Sequence, residues 1–279
     1  MTTAERVVPF STVFNFRDLG GYRAGDGRAV RLRRLYRSDA LHRLTEDDFE
    51  GFAALGVRTV LDLRRPDELD ADGRVAESLG LDYHHVNFHA DPWPEHSLGP
   101  DDMPRYLADR YAEMAEGGLT GRNGVGAALR LIAASASTPL VFHCAAGKDR
   151  TGVLAALTLS LLGVGDDDIA DDYALSQESE RRFREWRRGR GVDGRGVDGR
   201  GVDGRGVDGR GVDGRGVDGR PEEEGHAPAW VLNPCPREAM HLFLAELRER
   251  YCSVEAYVRR AGVTSAEVET LRGHLLDES

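Results

Sequence analysis

Leu140-Val141-Phe142-His143-Cys144-Ala145-Ala146-Gly147-Lys148-Asp149-Arg150-Thr151-Gly152 is the stretch on which the reading of this chain turns. Its first three residues are bulky and apolar and predict a buried strand, and the apolar run Val153 to Val164 predicts a buried helix opening at Gly152. Between them lies Cys-x5-Arg, Cys144 to Arg150. A loop that feeds a helix N-terminus aims backbone N–H groups at whatever it encloses, and the helix dipole favours negative charge there. The small residues Ala145, Ala146 and Gly147 let such a backbone close around a tetrahedral dianion. The same field favours a thiolate, which makes Cys144 a candidate nucleophile. Arg150 supplies a planar fork for two phosphoryl oxygens and for the charge of a transition state. Thr151 is placed to donate to the thiolate, and His143 reads as a brace for the loop rather than a proton carrier. An inert buried cysteine is the plainer alternative. The strand before, the helix after and the small residues between argue against it.

Of the 37 basic residues, Lys148 is the only lysine. A compact ammonium does not replace a guanidinium fork, so its place inside this loop suggests a task arginine cannot do. Donation to a second phosphate, or a fit beneath the substrate, are the tasks expected.

Outward from the loop, Thr59-Val60-Leu61-Asp62-Leu63 and Tyr83 to Phe88 predict two further strands. Helical stretches are expected over Glu46 to Leu55, Asp101 to Met114 and Gly124 to Ala134. The alternation predicts an α/β fold with a central, mainly parallel sheet flanked by helices. Met240, Phe243, Leu244, Leu247 and Tyr251 share a helical face; Ser253 caps a short helix that stops at Gly262, and Thr264 with Glu267 forms a capping box. Residues 191–220 are six copies of Gly-Val-Asp-Gly-Arg. One valine per copy buries too little to offset the entropy of ordering, so a disordered insertion at about 189–228 is expected within a single domain spanning 1–279.

A net charge of −11 argues against non-specific nucleic-acid binding. Three cysteines, Cys144, Cys235 and Cys252, are too few and too scattered for a disulfide framework or a zinc site, which suggests a reducing compartment. Met1 to Phe10 lacks a signal-peptide pattern and the longest apolar run is too short to span a bilayer, so a cytoplasmic protein is expected. Arg181 to Arg190, with Phe183 and Trp186 interleaved, suggests contact with inositol phosphates or an anionic membrane surface, against the plainer reading of a solvated helix face.

His143 to Gly152 resembles the signature of the bacterial tyrosine phosphatases related to mycobacterial protein tyrosine phosphatase B. So do Asn15-Phe16-Arg17-Asp18-Leu19-Gly20-Gly21-Tyr22, Tyr36-Arg37-Ser38-Asp39-Ala40-Leu41, Val60-Leu61-Asp62-Leu63-Arg64 and Tyr257 to Val263. The resemblance implies a cysteine-phosphatase fold with C-terminal helices and a helical lid after the loop helix. It also implies a phosphocysteine intermediate, with no metal and no cofactor. Its substrates would be phosphotyrosine proteins, phosphoserine or phosphothreonine proteins, or phosphoinositides, with Lys148 and Asp149 associated with the broader range. The repeat departs from the family pattern. For the proton donor the resemblance favours Asp149; Asp91, after a candidate strand, and Asp62, which could instead pair with Arg64, compete with it. The leading reading is a protein-tyrosine phosphatase of relaxed specificity, ahead of a phosphoinositide phosphatase. A rhodanese-type sulfurtransferase has no need of Arg150, and a non-catalytic phospho-binding module has no need of Cys144.

Overall fold

A computed structural model describes residues 3–88, 98–117, 123–189 and 234–278. Five strands form one sheet: β1 (Arg17–Asp18), β2 (Leu35–Ser38), β3 (Thr59–Asp62), β4 (Asp82–His85) and β5 (Leu140–His143). Their spatial order is β1-β2-β5-β3-β4, with β2, β5, β3 and β4 parallel and β1 antiparallel at the edge. Parallel neighbours need crossover connections, which the intervening helices provide. Besides a short α1 (Thr3–Arg6), these are α2 (Glu46–Ala54), α3 (Pro66–Asp72), α4 (Met103–Gly117) and α5 (Gly124–Ser135). After the sheet come α6 (Asp149–Leu161), α7 (Asp166–Ala174), α8 (Ser176–Gly189), α9 (Arg237–Tyr251), α10 (Val254–Arg260) and α11 (Ser265–Leu275).

Successive strand residues point to opposite faces, and both faces here are buried. Tyr36, Val60 and Val141 pack with Phe10, Phe16 and Phe52 on one side. Leu35, Leu61, Leu140 and Phe142 pack on the other against the helices. The central helix α6 is buried along almost its whole length. On α9, Met240, Phe243, Leu244 and Leu247 join the same cluster, so residues before and after the repeat share one core. Gly126 on α5 lies against the carbonyl of Ala261 just after α10, where any Cβ would collide with that oxygen. Ser253 Oγ caps α10 by accepting from the Ala256 N–H at 2.9 Å, and the Thr264–Glu267 capping box opens α11.

The three expected strands and three expected helices are present, with β4 at Asp82–His85 rather than further along. Strand β2 is only half apolar, Leu35 and Tyr36 being followed by Arg37 and Ser38, which stand in it almost wholly buried. Burying that arginine requires a partner from elsewhere in the chain, which Asp172 of α7 provides. The pentapeptide repeat lies outside the described residues. Among the described residues no helix is long and apolar enough to cross a membrane.

Candidate active site

The Cys-x5-Arg loop leaves the carboxyl end of β5, in a row with Ser38 of β2 and Asp62 of β3, where open α/β sheets place their sites. Cys144, 2% exposed, is the first residue beyond the strand. Three consecutive carbonyls of the loop are held from outside. Ala145 O accepts from the Ala40 N–H at 3.1 Å, and Ala146 O from Asn15 Nδ2 at 3.1 Å. Gly147 O accepts from Asn15 Nδ2 at 2.9 Å and from Arg37 Nη2 at 2.8 Å. In a planar trans peptide the N–H points opposite to the C=O. Anchoring these oxygens outward therefore turns the N–H groups of Ala146, Gly147 and Lys148 toward the loop's interior, an anion nest at the mouth of α6. Gly147 has φ +67°, and a Cβ there would strike the backbone of Ser38 and Asp39, so only glycine closes this turn.

Glu68 of α3 holds Arg150. Arg150 Nη2 donates to Glu68 Oε1 at 2.8 Å, Nη1 donates to Glu68 Oε2, and Nη1 also reaches Leu63 O at 3.5 Å. Burial opposes the guanidinium's charge, but Glu68 and Cys144 outweigh it and raise its pKa. A guanidinium has five N–H donors. With these three engaged, Nε–H and one Nη2–H remain as a side-on fork, the arrangement that takes two oxygens of one phosphoryl group. Glu68→Gln keeps the shape but removes the charge, and it should lower kcat on the order of 10²-fold, the cost of a misplaced catalytic group. Steady-state kinetics with 4-nitrophenyl phosphate check this, with the loss falling in kcat.

His143 is fully buried; its Nδ1–H donates to Cys144 O at 3.1 Å, and its Nε2 lies 3.6 Å from Asp62 Oδ2. Burial lowers its pKa, so the ring is neutral and acts within the wall of the site. Asp62 is itself fully buried. It accepts from Arg64 Nη2 at 2.8 Å and from Tyr83 Oη at 2.9 Å, and Arg64 continues to Gly73 O at 2.7 Å. Burial would raise the Asp62 pKa, but the Arg64 guanidinium bonded to it overcomes this and holds it well below the usual carboxylate range. Asp62 and Arg64 thus form a buried ion pair. Asp91 lies outside the described residues. Thr151 Oγ1 is buried and makes no hydrogen bond among the described residues, so its bond to Cys144 is not formed in this state.

Lys148 differs most from expectation. Its side chain is 4% exposed, and Nζ donates to Asp149 Oδ1 at 2.7 Å rather than standing open to a second phosphate. Burial opposes its charge, but the Asp149 carboxylate at its Nζ more than compensates and raises its pKa. The same Asp149 oxygen accepts from Tyr111 Oη at 2.8 Å. The Asp149 side chain keeps 22% of its surface exposed at the start of α6.

A buried charge cluster supports the loop from the other side. Asp172 accepts from Arg17 Nε at 3.0 Å and from Arg37 Nη1 at 2.7 Å, and lies 3.8 Å from Arg6. Arg17 in turn grips Asn15 through its backbone and side-chain oxygens. One carboxylate among three guanidiniums leaves a net positive charge behind the loop. Burial and repulsion from Arg17 pull Arg37 down to about 10, still charged at neutral pH. Residue reading from the sequence missed Glu68, Asn15, Arg37, Asp172, Tyr111 and Tyr173 as parts of this site. Asn15 and Arg37 sat in recognisable segments without a role; Glu68 carried no local signal.

The family model described as "Tyrosine phosphatase family" matches residues 8–277. A Cupriavidus necator protein carrying a tyrosine-protein phosphatase name is 37% identical over 183 residues, 63% of this chain and 65% of that protein. The triple specificity protein phosphatase PtpB of Mycobacterium tuberculosis is 30% identical over 61% of this chain and 69% of its own length. A tyrosine-protein phosphatase of Nostoc commune is 29% identical over 86% of this chain and 73% of its length. With the family model spanning nearly the full described fold, the chain belongs to the tyrosine phosphatase family.

Proposed function

We propose that this protein is a cysteine-dependent protein-tyrosine phosphatase of broad specificity that works through a phosphocysteine intermediate. The observation that carries the reading is the loop itself: Cys144 heads an anion nest whose carbonyls are all tied outward, with Arg150 held by Glu68 at its far end. In the first step the Cys144 thiolate attacks phosphorus, the bond from phosphorus to the aryl oxygen breaks, and Asp149 gives its proton to the departing phenolate. In the second, water attacks the phosphocysteine and passes a proton to Asp149; the S–P bond breaks, releasing inorganic phosphate and the thiolate. Arg150 and the loop N–H groups meet the equatorial oxygens in both steps. Every proton and bond in this cycle is accounted for by groups the chain supplies.

Broad specificity is supported by the name of the mycobacterial relative, a triple specificity protein phosphatase. A second reading, phosphoinositide hydrolysis, draws on α8. There Phe183 and Trp186 pack on Phe14, Arg43 lies over the Phe183 ring, and Arg182 lies over Phe14. This basic and aromatic face adjoins the loop through Ser179 Oγ, which reaches Asn15 Oδ1 at 3.1 Å. The test is turnover of phosphotyrosine, phosphoserine and phosphothreonine peptides beside a phosphoinositide in vesicles. Phosphotyrosine should be cleaved best with measurable rates on the others; cleavage of the lipid alone would overturn the protein-phosphatase reading in favour of the second.

A further inference from the structure

Asp149 is not held by its neighbour Lys148 alone. Two tyrosines from separate helices, Tyr111 of α4 and Tyr173 of α7, meet beneath it in the core, 0% and 1% exposed. Their hydroxyl oxygens are 2.6 Å apart and their rings pack edge to face, with centroids 5.9 Å apart. Tyr111 has one hydroxyl hydrogen and spends it on Asp149 Oδ1 at 2.8 Å. The hydrogen between the two tyrosines is therefore that of Tyr173, and the chain runs Tyr173 to Tyr111 to Asp149. Burial, reinforced for Tyr111 by the Asp149 carboxylate, raises the pKa of both phenols, so both keep the hydrogens they donate.

Among the described residues both donors to the Asp149 side chain, Lys148 Nζ and Tyr111 Oη, land on Oδ1. When a carboxyl group takes up a proton while one of its oxygens accepts two hydrogen bonds, the proton goes to the other oxygen. We propose that Tyr111, backed by Tyr173, is a positioning residue for general acid catalysis: it fixes Asp149 by Oδ1 so that Oδ2 presents the proton to the leaving phenolate. In this arrangement the only lysine of the chain donates to the acid as well. The tyrosines fit the role because their anchor points are core helices, which hold a side chain more tightly than a loop does. Gly152 on α6 also lies against Tyr173, where a Cβ would come within 3.2 Å of the ring, so the helix bearing Asp149 is seated directly on this pair.

The proposal rests on Asp149 being the proton donor, and the test separates the two claims. Turnover is measured for wild type, Asp149→Asn, Tyr111→Phe and Tyr173→Phe across a series of aryl phosphates, from 4-nitrophenyl to phenyl. A protonated leaving group makes rates insensitive to phenol acidity, and losing the acid makes them depend on it steeply. Asp149→Asn should steepen the dependence strongly. Tyr111→Phe should steepen it too, lowering kcat/KM, which reads only the steps up to departure of the phenol, by roughly 10- to 100-fold for phenyl phosphate, part of the 10²–10⁴ a positioned acid supplies, with a much smaller change in kcat/KM for 4-nitrophenyl phosphate. Tyr173→Phe, which keeps the bond from Tyr111 to Asp149, should fall between Tyr111→Phe and wild type. If Asp149→Asn steepens the dependence but Tyr111→Phe gives a line parallel to wild type, Tyr111 is structural packing and the proposal fails while the acid assignment stands. An unchanged slope in Asp149→Asn sinks the acid assignment, and the proposal with it. Should Tyr111→Phe not fold, an unaltered slope in Tyr173→Phe likewise rejects the chain.

Discussion

Replacing Cys144 with serine should lower turnover of aryl phosphates by roughly five to six orders of magnitude, the scale on which loss of an enzyme's nucleophile falls. The substitution changes one atom. It leaves the outward ties on Ala145, Ala146 and Gly147 and the clasp of Glu68 on Arg150 untouched, so the nest and the fork still receive a phosphoryl group. What disappears is the sulfur nucleophile: an alcohol is a far weaker acid than a thiol, and among the described residues the adjoining His143 offers no base to activate one, since its Nδ1–H is held by the Cys144 carbonyl and its Nε2 faces Asp62. Binding of a phosphotyrosine peptide, measured by calorimetry, should persist while kcat vanishes. A serine variant with a tenth of wild-type activity would mean that the sulfur is not the attacking atom.

The largest effect on stability should come from Asp172→Asn. Asp172 is 1% exposed and is the carboxylate that compensates Arg17 and Arg37, both almost wholly buried, with Arg6 close by. Removing one partner of a buried pair leaves the others uncompensated and costs about 3–5 kcal/mol. Against a total of roughly 5–15 kcal/mol, that is a large fraction of the fold's stability. The midpoint of urea unfolding reads it directly. The pH dependence gives a second signature. Burial would raise the Asp172 pKa, but Arg17 and Arg37 drive it well below its unfolded value of about 3.9. A carboxylate depressed on folding stabilises the native state fully above the unfolded pKa, and that contribution is lost as pH falls toward the folded one. Wild type should therefore lose stability below about pH 4, and the asparagine variant should show a flatter acid limb from a lower starting point. An equal midpoint in the two proteins would show that the arginines are compensated elsewhere.

The catalytic loop was legible because its signal is local: strand, Cys-x5-Arg and helix follow one another within a single short stretch. Periodicity likewise carried α2, α4, α5 and the C-terminal helices with their caps. What failed to show was whatever depends on distant pairing. Glu68 lies 82 residues from Arg150, Asp172 lies 135 from Arg37, and Tyr111 lies 38 from Asp149. No spacing rule connects such pairs. Strand β2 was missed for the same reason, since a buried arginine reads as a surface residue until its carboxylate is known. Lys148 shows the limit within the motif itself. Its uniqueness could be counted, but the direction of its side chain, toward Asp149, is a tertiary feature that the motif does not spell out.

The covalent intermediate is the point at which the whole account is most exposed. Wild-type protein turning over an aryl phosphate can be quenched within milliseconds, digested, and searched by mass spectrometry for a phosphoryl group. It should be found on the sulfur of Cys144, and Cys144→Ser should carry none. A phosphoryl group on His143 or any other residue, or rapid turnover with no phosphorylated enzyme at any quench time and inversion at phosphorus, would contradict it.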